Sequence, residues 1–287
     1  MSAVCRLVHL SDLHLGGGYF VEGWGRQVVD TISMLNPDLL IITGDLTTEG
    51  HVHEYEQVIE YLGKFSVARR LIVPGNHDAR NEGYMIFEEL FGTRYPFFED
   101  GKITVLGLDS SQPDIDDGHI GRSNYLMIAH RFQDRSGLKI VCLHHHLVLI
   151  PGTGRERHIS TDAGDVLKLL VELDVRIALS GHKHLPWVWH IENTWLITGG
   201  TATSRRLKGR SYPSFNLLMI GEREFELVEI NVATGEHIRK TGGAGLRLSD
   251  LDDFMRHRFP TLVRMDDEIN TAVEVPVPDD PSGCIIN

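Results

Sequence analysis

Five short runs rich in Val, Ile and Leu constrain this chain more than any other feature: CRLVHL (5–10), DLLIIT (38–43), RRLIV (69–73), LKIVCL (138–143) and VRIALS (175–180). Their apolarity is continuous rather than alternating, which predicts strands covered on both faces. Between them lie segments compatible with helix: EGWGRQVVDTISML (22–35), HEYEQVIEYLGKF (53–65), GYMIFEELF (83–91), RSNYLMIAHRFQD (122–134) and TDAGDVLKLLVEL (161–173), the last capped by Thr161 or Asp162. Strands alternating with helices predict an α/β architecture. Further runs at 103–110, 187–191, 194–199, 215–221 and 225–232 read as β without helices. Hairpins about Glu192-Asn193 and Glu222-Arg223 then predict a second, more antiparallel sheet.

The chemistry sits just beyond the end of each of the five runs. Asp12-Leu13-His14 comes after the first, Gly44-Asp45 after the second, Gly75-Asn76-His77-Asp78 after the third, His144-His145-His146 after the fourth, and Gly181-His182-Lys183-His184 after the fifth. In open α/β sheets ligands bind beyond the carboxyl ends of the strands, so residues distant in sequence converge there. Glycines before Asp45, Asn76 and His182 let the chain turn sharply over the sheet. Taken singly, each motif has an ordinary explanation: a surface turn, a helix cap, the polar tip of a strand. Five together at equivalent positions point to a metal site. The mixed oxygen and nitrogen donors suit Mn, Fe, Zn or Co, and their number exceeds what one ion needs, so two divalent ions are implied.

The bulk numbers exclude other classes. With 28 basic and 40 acidic residues the net charge is −12, which disfavours a broad nucleic-acid-binding face. Cys5, Cys142 and Cys284 are far apart and lack CxxC spacing, which reads as reduced thiols in a cytoplasmic protein. No apolar stretch approaches the ~18 residues that span a bilayer, and the N-terminus lacks a signal-peptide layout. The 41% hydrophobic content is enough for one catalytic domain over 1–235. Residues 236–287 read as an extension: a helix from about Ser249, then an acidic proline-bearing tail, long enough to supply a homodimer contact or a lid.

The order Asp-x-His, Gly-Asp, Gly-Asn-His-Asp, His, Gly-His-x-His resembles the calcineurin-like metallophosphoesterase superfamily, over residues 6 to about 230. The resemblance implies a four-layer α/β/β/α sandwich of two mixed sheets with a dinuclear centre at one edge. Carried over, one metal would take Asp12, His14 and His184, the other Asn76, His144 and His182, and Asp45 would bridge them. The fourth motif departs from the common His-His followed by prolines, reading HHHLVLIP here. Aligning the strand end favours His144 as the ligand and leaves His145 as the alternative, with His146 beside the site or facing substrate.

Two cations roughly 3.5–4 Å apart hold a bridging hydroxide and grip a phosphoryl group for in-line attack. Asn76 would supply a neutral oxygen to a site that must accept an anion. His77 resembles the family's histidine that donates to the phosphate or leaving oxygen, and Asp78 would orient it or cap the helix beginning near residue 82. GNHD, rather than the GNRD of lipid A precursor pyrophosphatases, favours the diesterase-like and nuclease-like relatives. The look of NPDLLIITGDLTTEG and GNHDAR is closest to bacterial cyclic nucleotide and glycerophosphodiester phosphodiesterases. The expected substrate is therefore a cyclic nucleotide or small organic diester. The alternatives are a phosphomonoesterase or a pyrophosphatase, then an exonuclease or a metal-free scaffold.

Candidate specificity elements are PGTGRERH (151–158) and SRRLKGR (204–210), with Arg205 and Arg206 near the metal mouth to hold a second phosphate or a carboxylate. Tyr19, Phe20 and Trp24 stack on a base or staple the following helix, and His51 and His53 are near enough to line the entrance.

Overall fold

Strands β1 (Cys5–Leu10), β2 (Leu39–Thr43) and β3 (Arg70–Val73) run parallel, each but the last followed by a helix, α1 (Glu22–Leu35) and α2 (Val52–Gly63); α3 (Gly83–Phe91) follows β3 after the GNHD turn. This computed structural model describes residues 5–151, 153, 159–209, 211–221 and 224–242. Most of the PGTGRERH insert, Arg210, the Glu222-Arg223 turn, Cys284, and the expected helix from Ser249 with its acidic tail lie outside the described residues. The chain divides into two compact units, Met1–Leu246 and Arg247–Asn287, and the description concerns the first.

The remaining elements are β4 (Phe97–Glu99), β5 (Ile103–Gly107), a 3₁₀ turn at Arg122–Asn124, α4 (Tyr125–Phe132), β6 (Leu138–Cys142), α5 (Ala163–Glu172), β7 (Ile177–Ser180), β8 (Trp187–Ile191), β9 (Thr194–Thr198), β10 (Ser214–Ile220), β11 (Phe225–Asn231) and β12 (His237–Gly242). They form two six-stranded sheets, ordered β12-β11-β10-β1-β2-β3 and β4-β5-β6-β7-β9-β8. Both sheets are mixed, as the resemblance implied, so the antiparallel pairings are shared between them rather than gathered in the second. The β10–β11 hairpin pairs antiparallel with the free edge of β1, whereas the β8–β9 hairpin adds to β7 through a parallel pairing. An open edge of a parallel core leaves unpaired backbone groups, and a hairpin supplies their partners.

Alternation places the layers. Leu7, Ile41 and Val73 from the first sheet meet Val105, Ile140, Ile177 and Ile197 from the second in one buried cluster between them. The opposite face of the second sheet is covered by α4 and α5 through Ile128, Phe132, Val166 and Leu170. On the first sheet Val8, Leu40 and Ile42 are fully buried facing the other way, which requires a cover; the buried stripes of α1 (Val28, Ile32, Leu35) and α2 (Val58, Leu62) provide it. Two mixed sheets flanked by helices are the architecture that the motif order led us to expect. Among the described residues no helix is long and apolar enough to cross a membrane.

Candidate metal centre

The carboxyl ends of β1, β2, β3, β6 and β7 deliver the five motifs to one edge of the two sheets. Backbone bonds lock them together: Asp12 N donates to Gly44 O at 3.0 Å, His14 N to Asp45 O at 2.9 Å, and Gly181 N to His144 O at 2.9 Å. The turns are tight enough that Asp12, His14, Asp45, His182 and His184 all carry positive φ, from 49 to 74°, a region where Asp and His are tolerated better than most residues. Gly44 (φ 81°) and Gly75 approach so closely that a Cβ on Gly75 would sit 2.2 Å from Asp45 Oδ1.

Two clusters result. In the first, His14 Nε2 lies 3.0 Å from His184 Nε2, His184 Nε2 lies 3.2 Å from Asp12 Oδ1, and Asp45 Oδ2 lies 3.7 Å from His14 Nε2. In the second, Asn76 Oδ1 lies 3.1 Å from His144 Nε2 and 3.0 Å from His182 Nδ1, with Asp45 Oδ1 3.3 Å from His144 Nε2. Each oxygen of Asp45 thus faces a different cluster.

The donor chemistry fits a divalent ion in each. His184 Nδ1 donates to Arg206 O at 2.6 Å and His144 Nδ1 donates to Thr43 O at 2.7 Å, so in the neutral rings both Nε2 atoms carry a bare lone pair inward. Asn76 Nδ2 donates to Asp116 Oδ1 at 3.0 Å, which turns the amide oxygen toward the His144 lone pair. Lone pairs facing one another in a buried space repel unless a cation sits among them. Without one, a proton takes that place: burial disfavours a charged His144 ring, yet the Asp45 carboxylate outweighs burial and raises it to about 9. Burial likewise acts to raise Asp45, but His144 and His77 hold its carboxyl well below the usual range. His14 and His182 are pushed well below the ordinary histidine value, mainly by burial. Metal binding at such residues releases that proton.

His145 is a different case, although its ring nitrogens come close to those of His144 and His182. Its Nε2 donates to Asp116 O at 3.1 Å and its Nδ1 pairs with Ser110 Oγ at 2.9 Å, so both nitrogens are committed within the chain. The ring is fully buried. Those bonds, together with the Thr43 contact of His144, favour His144 as the inward-facing ring, and His145 stays in the same group of ligand-capable side chains. His146 is buried and stacked on His182 at 6.0 Å, with neither ring nitrogen hydrogen-bonded. Burial, with Lys183 adding to it, lowers His146 to about 3.

His77 stands edge-on to His14, ring centroids 4.8 Å apart, with Nδ1 donating to Thr48 O at 2.5 Å and Nε2 3.3 Å from Arg206 Nη1. Asp78 neither orients His77 nor caps the following helix. Its carboxylate accepts from Gly75 N (2.9 Å), Leu46 N (3.1 Å), Thr47 N (2.8 Å) and Thr47 Oγ1 (2.9 Å), clamping the Gly-Asp turn to the GNHD turn. Burial, reinforced by the Asp45 charge, raises it to about 7. Arg205 is exposed and Arg206 half-buried. His51 caps α2 and reaches Glu82 at 3.3 Å. Sequence reasoning missed Asp116, which holds Asn76 and also pairs with Arg80 Nη2 at 2.9 Å; its acidic DIDDG setting reads as a solvated turn.

Residues 5–186, more than half of the chain, match the family described as calcineurin-like phosphoesterase. The chain belongs to that family. It is therefore a metal-dependent phosphoric ester hydrolase, of a family that uses a dinuclear metal centre. Among curated relatives, one of Synechococcus named probable cyclic nucleotide phosphodiesterase is 29% identical over 198 residues, covering 63% of this chain and 74% of that one. Another so named, from Vesicomyosocius okutanii, is 24% identical over 186 residues, covering 62% and 78%. In fold, the chain is similar to a purple acid phosphatase of yellow lupin (TM-score 0.69, 14% identity, 83% of this chain and 53% of that one). It is also similar to a dimetal phosphatase of Danio rerio (TM-score 0.66, 11% identity, 84% and 100%).

Proposed function

We propose that this phosphoesterase is a phosphodiesterase acting on a cyclic nucleotide or small organic diester through a dinuclear centre. One ion would be held by Asp12, His14 and His184, the other by Asn76, His144 and His182, with Asp45 shared. The observation that carries the reading is the pair of clusters on opposite oxygens of one buried carboxylate. Bound there, two divalent ions of the Mn, Fe, Zn or Co kind supply the Lewis acidity that activates water and neutralises phosphoryl charge. The chain's part is to orient. Thr43 O and Arg206 O fix the tautomers of His144 and His184, Asp116 fixes the Asn76 amide, and the buried walls exclude bulk water. His77, anchored through Nδ1 by Thr48 O, would offer Nε2 to the phosphate or leaving oxygen. The cyclic nucleotide assignment is supported by the names of the relatives and by GNHD.

The test is hydrolysis of bis(p-nitrophenyl) phosphate against p-nitrophenyl phosphate by metal-free protein reloaded with Mn(II), beside His77→Ala. Strong diester preference, with the variant slower by about 10²-fold, is the expected result. Turnover of the monoester alone would replace this reading with a phosphatase.

A further inference from the structure

SRRLKGR contributes two adjacent arginines that the fold treats differently. The segment before them is stitched to the loop after β1: Thr203 Oγ1 donates to Leu13 O at 2.7 Å, Val21 N to Thr203 O at 2.8 Å, and Arg205 N to Tyr19 O at 2.9 Å. Arg206 N donates to Ser204 Oγ at 3.2 Å, and its carbonyl accepts from His184 Nδ1 at 2.6 Å. The backbone of Arg206 is thereby fixed against a candidate metal ligand, while the side chain of Arg205 turns to solvent.

The Arg206 side chain reaches back to His77 of the GNHD turn. Its Nη1 donates to His77 Nε2 at 3.3 Å, and its Cζ lies 5.2 Å from the centroid of the Tyr19 ring. Among the described residues, none of its partners is a carboxylate. Three other arginines of this acidic chain do find one, Arg80 with Glu49 and Asp116, Arg94 with Glu88 and Arg135 with Glu99, while half-buried Arg6 settles on the Leu35 carbonyl instead. A guanidinium carries five N–H donors in a planar fork, and here a neutral ring nitrogen takes one while an aromatic face shields the cation from water. A half-buried cation without a counter-anion, beside a site built for two more cations, is unfavourable until an anion arrives.

We infer that Arg206 is a catalytic residue that grips nonbridging oxygens of the substrate phosphoryl group, with Tyr19 as its positioning residue. This rests on the phosphoesterase reading but not on the choice between diester and monoester. The fork exchanges its contact with His77 for a bidentate contact with the phosphoryl oxygens, which both holds the substrate and frees His77 Nε2 to face it. A lysine offers a point charge without the fork and does not reproduce that geometry. Tyr19, 48% exposed, packs against the guanidinium and would limit the directions it can take.

The test compares wild type, Arg206→Ala, Arg206→Lys, Tyr19→Leu and Arg205→Ala, all Mn-loaded. It reads calorimetric binding of orthophosphate, kcat and KM on bis(p-nitrophenyl) phosphate and its monoester, and metal content. Expected for Arg206→Ala are two metals per chain, orthophosphate binding weakened at least tenfold, and kcat/KM down by about 10²–10³, partly restored by added guanidinium ion. Arg206→Lys recovers little, and Tyr19→Leu raises KM more than it lowers kcat. Orthophosphate affinity of Arg206→Ala within threefold of wild type overturns the proposal, as does an equal loss in Arg205→Ala, which would mark a diffuse charge effect. A variant with metal content below wild type is judged by guanidinium rescue, whose absence also counts against it. If wild type turns over only the monoester, the diester reading falls while the orthophosphate comparison still decides Arg206.

Discussion

Gly75 offers the sharpest probe of the idea that one carboxylate serves two clusters. In Gly75→Ala the new Cβ meets Asp45 Oδ1 at 2.2 Å and the Asp45 backbone N at 2.4 Å. An ordinary contact begins near 3.4 Å, so the carboxylate must retreat by about 1 Å, and because backbone is struck as well, a side-chain rotation alone does not relieve the clash. His77 N, which donates to that same oxygen at 3.0 Å, loses its acceptor. Overpacking of this kind costs about 1–3 kcal/mol, which for a domain of this size lowers Tm by roughly 2–12 °C. A 1 Å displacement of a catalytic group costs about 10²-fold in rate. The assay is kcat/KM on the diester with metal content by mass spectrometry, beside Gly164→Ala, where a Cβ meets nothing within 4 Å. Wild-type metal content together with a rate within threefold would refute the claim that the position of Asp45 governs both clusters.

Three further outcomes are expected. Asp116→Ala, which frees the Asn76 amide, weakens metal binding by about 10–100-fold in a titration of the metal-free protein, with Tm of the metal-free form little altered. His144→Ala lowers bound metal below two per chain, whereas His145→Ala keeps two and loses stability, because Ser110 and the Asp116 carbonyl lose their partner. In the metal-free protein, His9 sets an acid limit. Its ring is buried between Thr43 Oγ1 at 2.8 Å and Asn216 Nδ2 at 3.2 Å, and burial lowers it from 6.5 to about 3. The unfolded chain therefore takes up that proton first, so stability is full above about pH 6.5 and falls toward pH 3 by about 1.4 kcal/mol per pH unit for this one group. Urea melts of His9→Gln between pH 4 and 7 should show a slope shallower by that amount; an unchanged slope refutes the assignment.

The parallel strands and their helices were legible because continuous apolar runs and helical periods are local signals, and the order of polar motifs at the strand ends was legible for the same reason. The division of hairpins between the two sheets was not: which open edge accepts β10 or β9 is decided by pairing across the whole chain. β4 is only FFE, and β12, HIRKTG, is polar, so neither announces itself. The contact that favours His144 over His145 is with the Thr43 carbonyl, 101 residues from His144. Nor does spacing reveal the contact between Arg206 and His77, 129 residues apart. The role of Asp78 was not legible because adjacency to His77 says nothing about where a side chain points; three of its four donors come from Leu46 and Thr47, more than 30 residues away.

The positive φ angles at Asp12, His14, Asp45, His182 and His184 set the requirements of the reaction against those of folding. Each such residue holds its backbone about 1 kcal/mol or more above a relaxed conformation, and glycine at the same position would release most of that. A drifting descendant that abandons hydrolysis would then gain rather than lose stability as these positions change, and would keep the fold. With the ions held as proposed, aspartate and histidine in turns where glycine would sit more comfortably serve turnover rather than the folded chain.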